Sequence, residues 1–222
     1  MGSLAPQVAG WTFVAAALML WLGWVLLPVH PGTFFDAQDF PRIHACFRRW
    51  IWLFRMHLFG YVVTTMAVVA LGALLAGSEE RVVVWPGVAV AGAGLMVSAL
   101  AAAFYYHFGA WGALGMHGKS ADHVEGFVGS LRVSTEYVTC LVRFGRVFFG
   151  LGQLVLAIGL FLGGAVPVSV AFGAAVLGLS AMALTMAFPD NLEYYAPVFH
   201  LNALWLIGTG IAVLRLAPEF DG

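Results

Sequence analysis

The chain has 222 residues, of which 62% are hydrophobic and 9% charged, with 27 glycines and a mean hydropathy of +0.92. Soluble domains carry roughly 25% charged and 45–50% apolar residues, so the surplus apolar surface here must face lipid. A net charge of −1 lacks the broad basic surface a nucleic acid requires, and two cysteines, Cys46 and Cys140, make no disulfide framework.

A bilayer-spanning helix needs about 20 apolar residues. Six runs qualify, at 8–29, 43–77, 83–112, 135–163, 165–188 and 193–216. They predict an all-α integral membrane protein, 1–222 forming a single polytopic domain, a bundle of six transmembrane helices with short connections. Residues 1–28 hold no Lys or Arg and end in Leu-Pro-Val-His-Pro, which reads as a retained first helix rather than a cleaved signal. Phe35-Asp-Ala-Gln-Asp39 matches half of the paired Asp-x-x-Asp element of prenyl-transferring enzymes. The sequence offers no second half, and Asp39 ahead of Pro41 reads as a helix cap.

The second run is too long for the hydrocarbon alone. Its basic, aromatic beginning, Arg42 to Trp52, is expected in the headgroup layer. In this run His44, Arg48, Trp52 and Arg55 share one stripe, and His57, Tyr61 and Thr64 share another at i, i+4, i+7. In the third run, His107 follows Tyr105 and Tyr106. Gly109, Gly112 and Gly115 close the run, either thinning the helix for a ligand or loosening it into a loop. The segment from Met116 to Glu125 carries His117, His123 and Glu125 without an established metal spacing, and Asp122 with Glu125 fits a capping arrangement.

The fourth run carries the strongest polar signal. Glu136, Thr139/Cys140, Arg143, Arg146/Val147, Gly150 and Gln153 recur every three to four residues along one face. Charges at that depth cost at least about 2.5–3.5 kcal/mol, so they are expected to pair or to line a pocket. Gly159 and Gly163 offer close helix packing, and the uncharged fifth run, with Gly173 and Gly178, reads as scaffold. The sixth begins with Glu193, Tyr194, Tyr195, His200 and Asn202.

Orientation follows from the basic residues. Arg42, Arg48, Arg49, Arg55, Lys119, Arg132, Arg143 and Arg146 fall at alternate ends of the runs, and Arg81 and Arg215 at the others. An N-out, C-out bundle in a bacterial cytoplasmic membrane places the first group inside.

These residues support three functional readings. The first is a membrane enzyme or binding protein for a lipid or isoprenoid-like substrate. Glu136, His107 and His57 are its candidate catalytic groups, and Arg143, Arg146, Arg55, Tyr194, His200 and Asn202 its candidate substrate-binding groups. The second is a b-type haem or quinone-linked electron-transfer subunit, with His57, His107 and His200 as axial ligands. The third is a structural or assembly subunit, or a small transporter. Membrane lipids are the expected partners, with a homo-oligomer or a larger membrane complex open. The sequence holds no P-loop, G-x-S-x-G, H-E-x-x-H or C-x-x-C, and no lysine within a span for a retinal Schiff base.

Two short stretches resemble the sterol-isomerase-type emopamil-binding family. Ser134-Thr-Glu-Tyr-Val-Thr-Cys140 is similar to its acidic helix start, and Phe199-His-Leu-Asn-Ala-Leu-Trp-Leu206 to its last helix, with Asn202 and Trp205 in matching places. His107 stands where that family has a third-helix histidine, but Trp111 replaces the acid one turn later. The resemblance implies proton movement on an isoprenoid-derived substrate.

Overall fold

The computed structural model describes residues 4–75, 80–164, 166–188 and 192–216, apart from the side chains of 192 and 193. Among these it is helical, with seven α-helices and no strand. They are α1 (Leu4–Val25), α2 (Asp39–Ala45), α3 (Phe47–Leu74), α4 (Arg81–Gly115), α5 (Ala121–Gly163), α6 (Val168–Ala187) and α7 (Ala196–Arg215). A 3₁₀ turn at Leu192–Tyr195 precedes α7. All but α2 are long and apolar enough to cross a membrane, which makes the chain an integral multi-pass protein.

The six expected spans are all present, with different limits. The second divides at Cys46, so the basic segment is split: Arg42 and His44 lie in the separate short helix α2, and Arg48 and Arg49 in the first turn of α3, which begins at Phe47. The fourth starts at Ala121 rather than near 135, because Ser120 adopts extended backbone and its carbonyl accepts the amides of His123 and Val124. Asp122 therefore lies in the first turn of α5 rather than at its cap. Asp39 likewise lies inside the first turn of α2, where its Oδ2 accepts the amide of Asp36 at 2.9 Å. Pro189, between the fifth and sixth runs, falls outside the described residues.

At 1.5 Å per residue, α4 is about 52 Å long and α5 about 64 Å, against a hydrocarbon thickness of about 30 Å. The pair therefore projects from the bundle at the end where α1 finishes and α7 begins. Helix α2 packs on α4 there, joining a cluster of Phe35, Phe40, Trp50 and Tyr105. Gly109 and Gly112 neither thin the helix for a ligand nor loosen it. A Cβ at Gly109 would lie 2.5 Å from the Trp50 ring, and one at Gly112 would strike Phe40, so these glycines seat the aromatics of α2 and α3.

Short connections make sequence neighbours pack antiparallel. Each long helix packs on the next, α1 on α3, then α4, α5, α6 and α7, and α7 returns to α1. The six thus close into a ring in chain order. Lipid supplies no hydrophobic force between helices, so small residues bring them together. Gly94 of α4 meets the backbone of Phe149 and the carbonyl of Gly145 on α5, Gly152 meets Ala91, and Gly150 meets Gly178 of α6. Gly10 of α1 and Gly210 of α7 close the ring in the same way.

Candidate ligand cavity

The ring encloses a cavity of about 790 Å³, in the half of the bundle toward the basic end. Its wall comes from α1, α3, α4, α5 and α7, with the loop His30–Thr33 and Tyr195 at its mouth. That loop is tied to the bundle by two ring donors. Trp50 Nε1 donates to the Val29 carbonyl at 3.0 Å, and the Tyr105 hydroxyl donates to the Thr33 carbonyl at 2.9 Å.

His57 is a buried polar group in the wall, at 5% exposure. Its Nδ1 lies 2.9 Å from the Leu20 carbonyl of α1. A carbonyl only accepts, so Nδ1 carries the hydrogen and Nε2 is left as an acceptor. Gly23 permits this contact, since a Cβ there would lie 2.5 Å from the His57 amide. The rings of Tyr61, Trp24 and Phe199 surround the imidazole, at centroid distances of 5.1, 5.2 and 6.0 Å. His30 packs edge-on against the same Trp24, and its Nε2 bonds the Trp24 carbonyl at 2.9 Å.

Arg146 is the only formally charged side chain among the described lining residues. Its guanidinium stands 4.1 Å over the ring of Tyr195, a cation–π contact that joins α5 to the turn before α7. Asn202 lies deeper. Its Oδ1 accepts from Gln153 Nε2 at 2.6 Å, and its Nδ2 donates to the Val198 carbonyl at 3.0 Å. The hydroxyls of Thr64 and Ser98 donate back to their own helices, at Gly60 and Gly94. The remaining wall is apolar, with Leu20, Leu95, Phe149, Ala203 and Leu206 prominent.

Of the nine candidate catalytic and substrate-binding residues, the cavity brings together His57, Arg146 and Asn202, and Tyr61 and Thr64 of the His57 stripe line it as well. The other six do not line it. Glu136 is exposed on α5, 3.7 Å from the more exposed Arg132. His107 faces outward with Trp111, at a ring distance of 6.0 Å. Arg55 bonds the Tyr106 hydroxyl at 2.6 Å and lies over the rings of Trp52 and Tyr106. Arg143 is half-buried on α5, and Tyr194 packs on Phe188 with ring centroids 4.5 Å apart and planes tilted by 40°. His200 is exposed between α7 and α1, where it accepts the indole hydrogen of Trp21 at 2.9 Å. The Glu193 side chain lies outside the described residues.

The three histidines named as haem ligands therefore do not converge, because only His57 points into the ring. Among the described residues no group of three or more His, Cys, Asp or Glu is placed to hold a metal ion. Sequence reasoning missed Trp24, His30 and Thr33 as wall residues. A contribution from the segment between α1 and α2 has no periodic signal.

No family model, curated protein or solved structure matches the chain. The emopamil-binding-type resemblance rests on its two short stretches. Asn202 from one of them lines the cavity, and Trp205 donates its indole hydrogen to the Val170 carbonyl of α6 at 2.9 Å.

Proposed function

We propose that this protein binds, and through His57 acts on, a lipid- or isoprenoid-like amphiphile held within the helix ring. The observation that carries the reading is the convergence of His57, Arg146 and Asn202 on one cavity of about 790 Å³ whose other walls are mostly apolar and aromatic. Ligand sites commonly occupy about 300–1,000 Å³, are mostly apolar and carry a few placed polar groups. An intramembrane arginine and histidine on an inner wall are functional groups by default. The amphiphile's polar head would meet Arg146 and His57 near the basic end, and its tail would run along Leu95, Phe149 and Leu206. The positive-inside rule supports a cytoplasmic location for that end, as in a bacterial inner membrane.

The test is native mass spectrometry of protein extracted in mild detergent, comparing wild type with Ala102→Phe, which fills the wall between α4 and the cavity. Wild type should retain a co-purified amphiphile and the folded variant should lose it. A folded wild type that carries none, or a variant that retains it fully, defeats the reading.

A further inference from the structure

We infer that the head group selected by the cavity is a neutral hydroxyl, that of a long-chain alcohol, which donates its hydrogen to Nε2 of His57. The inference rests on the amphiphile reading above and narrows its ligand class.

The tautomer of His57 is set by the backbone it touches. Nδ1 lies 2.9 Å from the Leu20 carbonyl and carries the hydrogen, so Nε2 is an acceptor. Among the described residues no other hydrogen bond reaches this ring, and Nε2 is not one of the sealed polar atoms left unpartnered. It therefore opens onto the cavity that His57 lines. An occupant without a donor would leave a desolvated acceptor unpaired.

Neighbouring polar groups in the wall make the same demand. The hydroxyls of Thr64 and Ser98 donate to the carbonyls of Gly60 and Gly94, and that of Tyr105 donates to the Thr33 carbonyl. Each hydrogen is committed to backbone, so each oxygen can only accept from an occupant. His57 and Thr64 of α3 thus combine with Ser98 and Tyr105 of α4 into a wall that asks for donors.

That demand separates head-group classes. A carboxylate, a fully ionised phosphate, an ester or a ketone brings acceptors alone. Among the described lining residues no carboxylate offers a counter-ion to an imidazolium at His57 or to an ammonium head. A hydroxyl supplies a donor without charge. Trp24, Tyr61 and Phe199 surround the imidazole at centroid distances of 5.2, 5.1 and 6.0 Å, which suits a compact head. The apolar wall at Leu95, Phe149 and Leu206 accepts the tail.

The probes are oleyl alcohol and the isoprenoid alcohol geranylgeraniol, each paired with its methyl ether. The ether keeps the chain and the accepting oxygen but has no hydroxyl hydrogen. Occupancy of the full chain in lipid nanodiscs is read by native mass spectrometry against the mole fraction of probe in the bilayer. Wild type should bind at least one alcohol about fivefold more tightly than its ether, because the ether leaves Nε2 without a donor. The chain bound more tightly identifies the source, a fatty or an isoprenoid alcohol. His57→Phe should bring alcohol and ether within about twofold. Ser98→Ala, which removes a competing acceptor, should keep the preference. Equal affinity of wild type for alcohol and ether overturns the inference without any variant having to fold. So does tighter binding of oleylamine or oleate than of both alcohols. A folded His57→Phe protein that keeps the preference, or a folded Ser98→Ala protein that loses it, overturns the assignment to His57. Failure of both alcohols to displace an amphiphile retained by wild type overturns the inference while sparing the amphiphile reading. Absence of any retained amphiphile takes both.

Discussion

Gln153 of α5 and Asn202 of α7 meet across the inside of the ring, through a 2.6 Å hydrogen bond between side chains that are 0% and 6% exposed. Their helices are not neighbours in the ring but flank α6, so the pair ties two separate walls together deep in the cavity. Buried polar partners are costly to separate, because the survivor keeps its desolvation penalty. Gln153→Leu should destabilise the protein by about 1–2 kcal/mol, and Asn202→Leu by a similar amount. The double variant should lose less than the sum of the two. Reversible unfolding in mixed micelles measures the cycle, and strict additivity would mean that the pair contributes nothing.

The α4–α5 seam depends on the absence of side chains. A Cβ at Gly94 would lie 2.7 Å from the Gly145 carbonyl and strike the Phe149 backbone, whereas one at Gly126, on the projecting part of α5, meets nothing within 4 Å. Gly94→Ala should cost about 1–3 kcal/mol through overpacking. Gly126→Ala should stabilise by about 0.5–1 kcal/mol, since alanine loses less backbone entropy in a helix interior. Thermal unfolding of the two variants should therefore shift in opposite directions.

The class, the six spans and one wall of the cavity were legible in the sequence for physical reasons. Long apolar runs have few alternatives to spanning, and His57, Tyr61 and Thr64 at i, i+4, i+7 do share the inner face of α3. The polar stripe on α5 was offset by one residue at its start. The buried line runs through Thr135, Val138, Thr139 and Gly145 to Gln153, leaving Glu136 and Cys140 outside it. A 100° step per residue separates Thr135 from Glu136, and hydropathy does not resolve which of two adjacent polar residues turns inward. His107 and His200 show the same ambiguity. Aromatic neighbours accommodate them at the outer surface, His107 beside Trp111 and His200 bonded to Trp21. The share of the wall taken by His30 and Thr33 depends on how Trp50 and Tyr105 pin a loop, a tertiary relation with no period to read.

Asp39 gives the basic end a pH dependence. Burial against the aromatic cluster raises its carboxyl above the ordinary 3.8, while the Asp36 amide only partly offsets this. A carboxyl whose folded-state pKa is raised is held more favourably in its protonated form. Its contribution is greatest below 3.8 and is lost as pH rises through the folded value. Asp39→Asn keeps an oxygen for the Asp36 amide and removes the charge. At pH 7 it should melt above wild type, and the gap should narrow as pH falls toward 3.8. A gap that widens on acidification would reverse the sign assigned to this group.

His200→Ala provides the internal contrast to the cavity residues. Its Nδ1 accepts from Trp21 on the outer surface, and its ring does not line the cavity. Loss of this exposed contact should change stability by less than about 1 kcal/mol and leave the co-purified amphiphile in place. Loss of the amphiphile from a folded His200→Ala protein would move the site to the α1–α7 seam.

Arg146 is oriented by Tyr195, and the ring rather than the hydroxyl makes the contact, at 4.1 Å from the guanidinium carbon to the centroid. Tyr195→Phe preserves the aromatic face and should leave both stability and ligand retention close to wild type. Tyr195→Leu keeps an apolar side chain of similar bulk but removes the quadrupole that attracts the cation. It should cost about 1–2 kcal/mol, at the desolvated end of the cation–π range. Retention of the amphiphile should fall with it, because a guanidinium no longer held over the ring has to be ordered when the ligand arrives. The Phe variant separates this from simple loss of a hydroxyl. If Tyr195→Phe and Tyr195→Leu are equally impaired, the hydroxyl matters and the cation–π contact does not. If both match wild type, Arg146 is positioned by other groups.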